Sequence, residues 1–489
     1  MKAKFKIISI LWAILVLAFT SACEKYLDHN PDMRAELNSV DKIARLVTSA
    51  YPDRNYLAMA ETYSDNVEDK GTGNLDEPLR TLYFWKDVED NGTNTPTDYW
   101  NACYRAVAAA NQALEAIEKE NFGPSALPYK GEALVARAYA HFMLVTFFAA
   151  PYEVGGANQS PGIPYVEEPE TVVFKNYDRG TVEEVYNKIR RDLEEGLPLL
   201  NEGIWEVPKY HFTPASANAF AARFYLFSGE WEKAVKAASS IFPGGDFSGK
   251  LRPYNTTFKN IPFAQMHVNF TKADQPYNLL LAETYSTYQR FTSSRYAMGV
   301  NVFQNVYNGN TAAGAPFYNY GLSYGPPHYT TYQWREHFHV TNPAANIGYP
   351  YLMFPLFTSD EALLNRAEAY IKMGNYAKAL EDLNLFAANR VNNYNPTTHR
   401  VTIEKSKAHF NVESDEQALI ETVLQFKRIG FMQEGIRWFD IIRHGLDVVH
   451  NHIDESGKET EEILKKGDNR RVFQIPQEAN LSNVAPNPR

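Results

Sequence analysis

The stretch Ser359 to Arg390, SDEALLNRAEAYIKMGNYAKALEDLNLFAANR, holds two helical periods on either side of the turn Met373-Gly374-Asn375. Leu363, Ala367 and Tyr370 fall on one face of the first period, and Tyr376, Ala379 and Leu383 on one face of the second. Two such faces joined by so short a turn must fold onto each other. Ala367 lets the partner helix approach, the tyrosines fill the space beside it, and Gly374 supplies the backbone freedom of the turn. The same offsets recur between Ala215 and Phe242, where Ala222, Tyr225, Gly229, Trp231 and Ala234 repeat the pattern. A partial copy lies between Gly131 and Tyr152, with Ala136 and Tyr139 in step but no glycine turn after them.

These hairpins resemble tetratricopeptide units. Gly229 and Gly374 are 145 residues apart, so the chain is not a continuous solenoid. The expected fold class is all-α: tetratricopeptide-type helix pairs near 98–150, 215–242, 359–390 and 421–445, separated by long irregular insertions. The pairs spread across the length predict one interlocked body over 23–489 rather than separate domains. A hairpin of this kind can offer a peptide groove, but its signature positions are those that pack helix on helix, which favours a scaffold. Function is then expected in the insertions, above all in about 243–358, where periodicity fails and Gly, Pro, Asn and Tyr accumulate.

Residues 1–22 read as a signal peptide: Lys2, Lys4 and Lys6 form a basic start, Ile7 to Phe19 an apolar core, and Thr20-Ser21-Ala22 a small-residue run before Cys23. The core is too short to span a bilayer as a mature helix. Small residues before a cysteine resemble a bacterial lipoprotein signal, which makes Cys23 the expected lipidation site and mature N-terminus. Cys103 is then the one remaining cysteine, which excludes an internal disulfide framework and a cysteine zinc site. Losing three lysines with the leader moves the formal charge from −10 to −13, and the longest basic clusters are the pairs Arg190-Arg191 and Arg470-Arg471. Nucleic acid is therefore not an expected partner.

Several motifs carry a family resemblance. CEKYLDHNP opens the mature chain, Asp98 to Glu120 forms an amphipathic helix, GEALVARAYAHFMLVTFFAAPY spans Gly131 to Tyr152, and the helix beginning at Thr181 repeats a T-x-x-x-x-Y step. Glu434, Gly435, Arg437, Trp438, Asp440 and Arg443 fit the pattern E-G-x-R-W-x-D-x-x-R, and Ile475-Pro476 and Asn487-Pro488 close the chain. Together they resemble the SusD/RagB family of outer-membrane nutrient-binding lipoproteins, from Cys23 to Pro488. Phe426 and Gly430 replace acidic residues usual in that family. Spacing alone puts Glu434 one turn from Arg437 and Arg437 one turn from Asp440, so local charge pairing beside a packed Trp438 is expected. The resemblance implies a cell-surface, non-enzymatic protein that passes ligand to a SusC-like TonB-dependent transporter, and it carries over no catalytic residue.

A reading as an enzyme would need a constellation of catalytic residues at a usual spacing. No nucleophile elbow, phosphate loop, zinc helix or calcium loop occurs. His337 and His339 could offer two metal ligands from an extended strand, but no third ligand is identifiable, so no metal or cofactor is expected. Acidic pairs such as Asp65 with Glu68 are too common to single out a hydrolase. Aromatic rings in loops are the positive signal, because flat rings stack on sugar faces while nearby polar groups bond hydroxyls. Two regions are richest: Tyr83-Phe84-Trp85 with the loop Asp90 to Asp98, and Tyr285 to Trp334, which includes Tyr320 and Tyr324. The candidate ligand-binding residues are Trp85, Tyr288, Arg290, Tyr296, Tyr329, Tyr332 and Trp334, with Trp85 and Trp334 foremost. The expected ligand is an oligosaccharide. Alternatives are an oligopeptide, as in RagB-like members, or a tetratricopeptide adaptor with only a protein partner.

Overall fold

The structure, a computed structural model, describes residues 37–170, 172 and 175–489. The leader and Cys23 lie outside the described residues. Helices follow in the order α1 (Val40–Val47), α2 (Leu57–Tyr63), α3 (Leu79–Tyr83), α4 (Pro96–Glu120), α5 (Leu127–Phe148), α6 (Val182–Gly196), α7 (Pro214–Ser228) and α8 (Trp231–Ser239). After α9 (Met266–Phe270) come α10 (Ser359–Lys372), α11 (Tyr376–Arg390), α12 (Ile403–Phe410), α13 (Asp415–Gly430) and α14 (Ile436–His444).

Local sequence explains where these helices start and stop. Thr95 accepts a hydrogen bond from the Asp98 N–H ahead of Pro96, and Thr181 and Glu184 close a reciprocal capping box. Gly229 ends α7 in the left-handed region at φ 75°, and Gly374 turns between α10 and α11 at φ 72°, the backbone values their sequence positions call for. α7 packs on α8, α10 on α11, and α8 on α10. Tyr56 stands at the centre of the core, with Tyr99, Phe147, Phe354 and Phe439 around it at ring-centroid distances of 5.3–5.9 Å.

The fold is largely helical, yet it is not all-α: 48% of the described residues are helix and 12% strand. β2 (Asn278–Tyr285), β7 (Ile347–Thr358) and β6 (His337–Asn342) form an antiparallel sheet in the order β2-β7-β6. Small pairings join β1 (Glu68–Asp69) to β3 (Tyr296–Ala297), β4 (Gly321–Ser323) to β5 (Tyr329–Thr331), and β8 (Val448–Ile453) to β9 (Glu459–Leu464). β7 escapes a periodicity reading because Pro350 and Pro355 interrupt it and its last five residues are buried on both faces.

The charge pairing expected along the C-terminal motif is also corrected. Glu434 precedes the helix, because Gly435 at φ 74° is the N-cap of α14, so Glu434 and Arg437 do not share a helical face. Glu434 instead takes Arg252 in a two-pronged buried ion pair at 2.7 and 3.0 Å, and Arg437 takes Asp65 at 2.8 and 2.9 Å. Asp440 meets Lys427 and Arg443. The motif therefore ties distant segments together. Gly435 fits its site sterically as well: a Cβ there would lie 2.7 Å from the Tyr56 ring.

Candidate functional site

A narrow cleft opens where residues 61–79 meet residues 288–334. α2 places Glu61 in its lining. Glu61 Oε1 accepts the Gly435 N–H at 2.6 Å and Oε2 accepts the Asn66 amide at 3.2 Å. Burial pushes the Glu61 carboxyl up to about 7 against the pull of those two donors. The β1–β3 pairing, with Asp69 bonded to Arg295 at 2.6 and 2.8 Å, holds the two segments in register. Asp65, just behind, would also be raised by burial, but Arg437 and Arg428 hold it well below the usual carboxylate range.

The second wall is a loop pinned to the C-terminal motif. Gln433, in the left-handed region at φ 62°, accepts through Oε1 from the Thr331 N–H and hydroxyl, each at 2.8 Å, and from the Thr330 hydroxyl at 2.9 Å. Its carbonyl accepts the Trp334 indole N–H at 2.8 Å. At the far end of the loop the β4–β5 hairpin carries Tyr324 at its tip, 62% exposed. Lys70 steadies that hairpin through His328 Nδ1 at 2.8 Å, and burial lowers the Lys70 ammonium to about 8.

The cleft brings together Tyr288, Tyr296, Tyr332 and Trp334 of the sequence candidates, and adds Tyr324. Their roles differ. Trp334 is buried, packed against Phe270 and Phe354, so it is a wall and offers no open ring face. Tyr296 is buried too and stacks on Tyr83 at 4.6 Å. Tyr288 and Tyr332 are half-buried, and one face of Tyr332 is covered by Phe263. Among the described residues no hydrogen-bond partner meets the hydroxyls of Tyr288, Tyr324 or Tyr332. Burial raises the Tyr288 hydroxyl, with Glu61 adding to the effect.

The remaining candidates sit elsewhere. Trp85, at 1% exposure, lies in the core with its ring stacked on His450 at 4.3 Å and its N–H donated to the Tyr63 carbonyl, which corrects the expectation of an exposed platform there. Tyr329 is buried against Phe303 at 4.2 Å. Arg290 is exposed and grips Glu336 at 2.6 and 2.7 Å. Tyr324 stood in a Tyr-rich run, and the Ser-Tyr-Gly-Pro-Pro turn around it is the signal that could have marked it as a hairpin tip. No group of three or more His, Cys, Asp or Glu side chains is arranged to hold a metal among the described residues. No described helix is long and apolar enough to cross a membrane.

Comparison with known proteins bears on both halves of the chain. A family described as starch-binding and associating with the outer membrane matches residues 25–226, and the SusD family matches residues 241–486. A SusD-like protein of Formosa agariphila is 24% identical, covering 90% of this chain and 92% of its own. Among solved structures, a putative sugar binding protein from Bacteroides vulgatus superposes with a TM-score of 0.69 at 19% identity, over 92% of this chain and 99% of that one. A SusD superfamily protein from Bacteroides thetaiotaomicron gives 0.64 at 19% identity, over 92% and 100% of the two chains. At these identities the structures establish likeness of fold.

Proposed function

The chain belongs to the SusD family, whose members bind without catalysing, and from that premise we propose that it captures an oligosaccharide in the cleft between Tyr288, Tyr324 and Tyr332. SusD-family proteins are associated with the outer membrane. In this reading Cys23 carries the lipid tether on the cell exterior, and the bound sugar passes to a SusC-like TonB-dependent transporter. In the same reading the helix pairs α7–α8 and α10–α11 are a tetratricopeptide-type scaffold.

One observation supports the reading: Tyr288, Tyr324 and Tyr332, whose hydroxyls have no hydrogen-bond partner among the described residues, line one cleft with the buried Glu61. Sugar rings present apolar C–H faces to aromatic rings and hydroxyls to such polar groups. The test is a screen of the lipid-free protein, residues 24–489, against a glycan panel and a peptide mixture, with Tyr324→Ala beside it. Retention of one glycan class, lost or weakened about tenfold in the variant, supports the reading. Retention of peptides alone would replace the ligand, and binding of neither would leave a protein adaptor.

A further inference from the structure

The outward face of the β2-β7-β6 sheet carries an aromatic cluster that the cleft does not use. Alternation along β7 sends Leu352 and Phe354 into the core and leaves Tyr349, Tyr351 and Met353 on the other side. Register then sets Tyr285, Tyr351 and His337 in one row across the three strands, with Tyr349 beside His339 in the next and Glu283 beside Met353 on the opposite flank. The Tyr285 ring stands across those of Tyr349 and Tyr351, with centroids 5.8 Å from each and interplanar angles of 74° and 70°, so the three form a corner. Tyr349 is 48% exposed, and the Tyr285, Tyr349 and Tyr351 hydroxyls have no partner among the described residues.

Polar groups frame this corner. The Arg54 guanidinium lies 4.5 Å over Tyr285 and is fixed by Asp98 at 3.0 and 3.1 Å. His337 Nε2 is 2.7 Å from Glu283 Oε1, and both side chains are about half exposed. Glu283 and Met353 also line a cleft of about 770 Å³ that runs on to Asp53, Arg105 and Tyr210. At the other end of β2 the chain runs on from Tyr285 to Tyr288 of the proposed sugar cleft. Tyr285 and Tyr288 lie on one short run anchored by Asn94, which meets Ser286 and Thr287 at 2.8 Å each. Glu336, between Trp334 of the cleft and His337 of the sheet, is held by Arg290.

We infer that this sheet face is a second saccharide subsite, in which a sugar ring stacks in the Tyr285–Tyr349–Tyr351 corner while Glu283, His337 and Arg54 bond its hydroxyls. The inference rests on the proposed function and extends it, because one glycan chain lying in both places must be long. Rings interspersed with donors and acceptors of both signs suit a neutral polyhydroxylated ligand. A phosphate polymer meets the net charge of −10, and an apolar protein face would leave the Glu283, His337 and Arg54 groups desolvated.

The test is a titration of residues 24–489 with malto-, xylo- and manno-oligosaccharide ladders from two to eight rings, for wild type, Tyr349→Ala and Tyr324→Ala. The expected result is an affinity that rises with chain length in the wild type. Tyr349→Ala removes about tenfold of that rise and leaves the shortest binders unchanged, while Tyr324→Ala weakens every length. Tyr349→Ala with a wild-type ladder overturns the second subsite and spares the first. A change in sedimentation without a change in the ladder makes the face a protein interface and also overturns it. Binding of no ladder by the wild type defeats the proposed function itself, and the subsite with it.

Discussion

Replacing Trp334 by alanine separates a ring that holds the protein together from one that holds a ligand. The indole is 4% exposed, packs edge-on to Phe270 with centroids 5.5 Å apart and against Phe354 at 5.4 Å, and donates to the Gln433 carbonyl at 2.8 Å. Truncating a packed tryptophan costs about 3–5 kcal/mol, and the abandoned carbonyl belongs to the same loss. With an unfolding entropy of about 1 kcal/mol/K for a chain of this length, Tm drops by about 4 °C. Trp334→Phe keeps part of the packing and loses the N–H, so its drop is about half as large. Tyr324→Ala, at an exposed hairpin tip, leaves Tm within about 1 °C while it lowers glycan affinity. Differential scanning calorimetry beside a binding titration reads both quantities. If Trp334→Ala keeps its Tm and loses only the ligand, the indole is a platform and the burial argument fails.

Three further outcomes follow from buried charge and thiol. Glu61 has a folded pKa near 7, raised above its unfolded value, so its contribution is present in full below about pH 4.5 and is lost as pH rises through 7. Glu61→Gln should therefore shrink its stability gap to wild type by on the order of 3 kcal/mol between pH 4.5 and pH 8, and urea melts showing a constant gap would contradict this. Glu368 sits under Arg443, Lys427 and His444, which hold its carboxyl well below the usual range against the cost of burial, so its stabilisation is present at neutral pH and disappears as the solution turns acid. Glu368→Gln takes a buried carboxylate from Arg443 and Lys427, leaving Asp440 as their shared partner, and is expected to cost about 3–5 kcal/mol at pH 7, measured by the same melts. Cys103 is fully buried and burial pushes its thiol up, so a disulfide reagent should label it only at the rate of unfolding, and fast labelling of native protein would show the site is open.

The helix pairs were legible because their signals are local. Ala367, Tyr370, Gly374 and Ala379 sit at offsets that only a short turn between packed helices requires, and the left-handed glycines agree with that reading. The sheet was not legible, since prolines at 350 and 355 and burial on both faces erase the alternation that betrays a strand. For the aromatics, the sequence could not tell which rings are exposed and which are buried. Trp85 and Trp334 carry the largest apolar surfaces and go inside, whereas Tyr324 is set outside by a turn and by Lys70, 254 positions away. Glu434 paired with Arg252 rather than Arg437 for a similar reason: the left-handed Gly435 removes it from the helix that its spacing suggests.

Three consecutive residues, Gln433, Glu434 and Gly435, each fasten a different part of the chain: the ligand-side loop, the Arg252 segment and the Glu61 helix. The tip at 323–328 draws none of its own bonds from that junction. Under the proposed function, transplanting the tip from one relative to another should therefore move ligand preference while the Gln433–Gly435 junction keeps its own bonds.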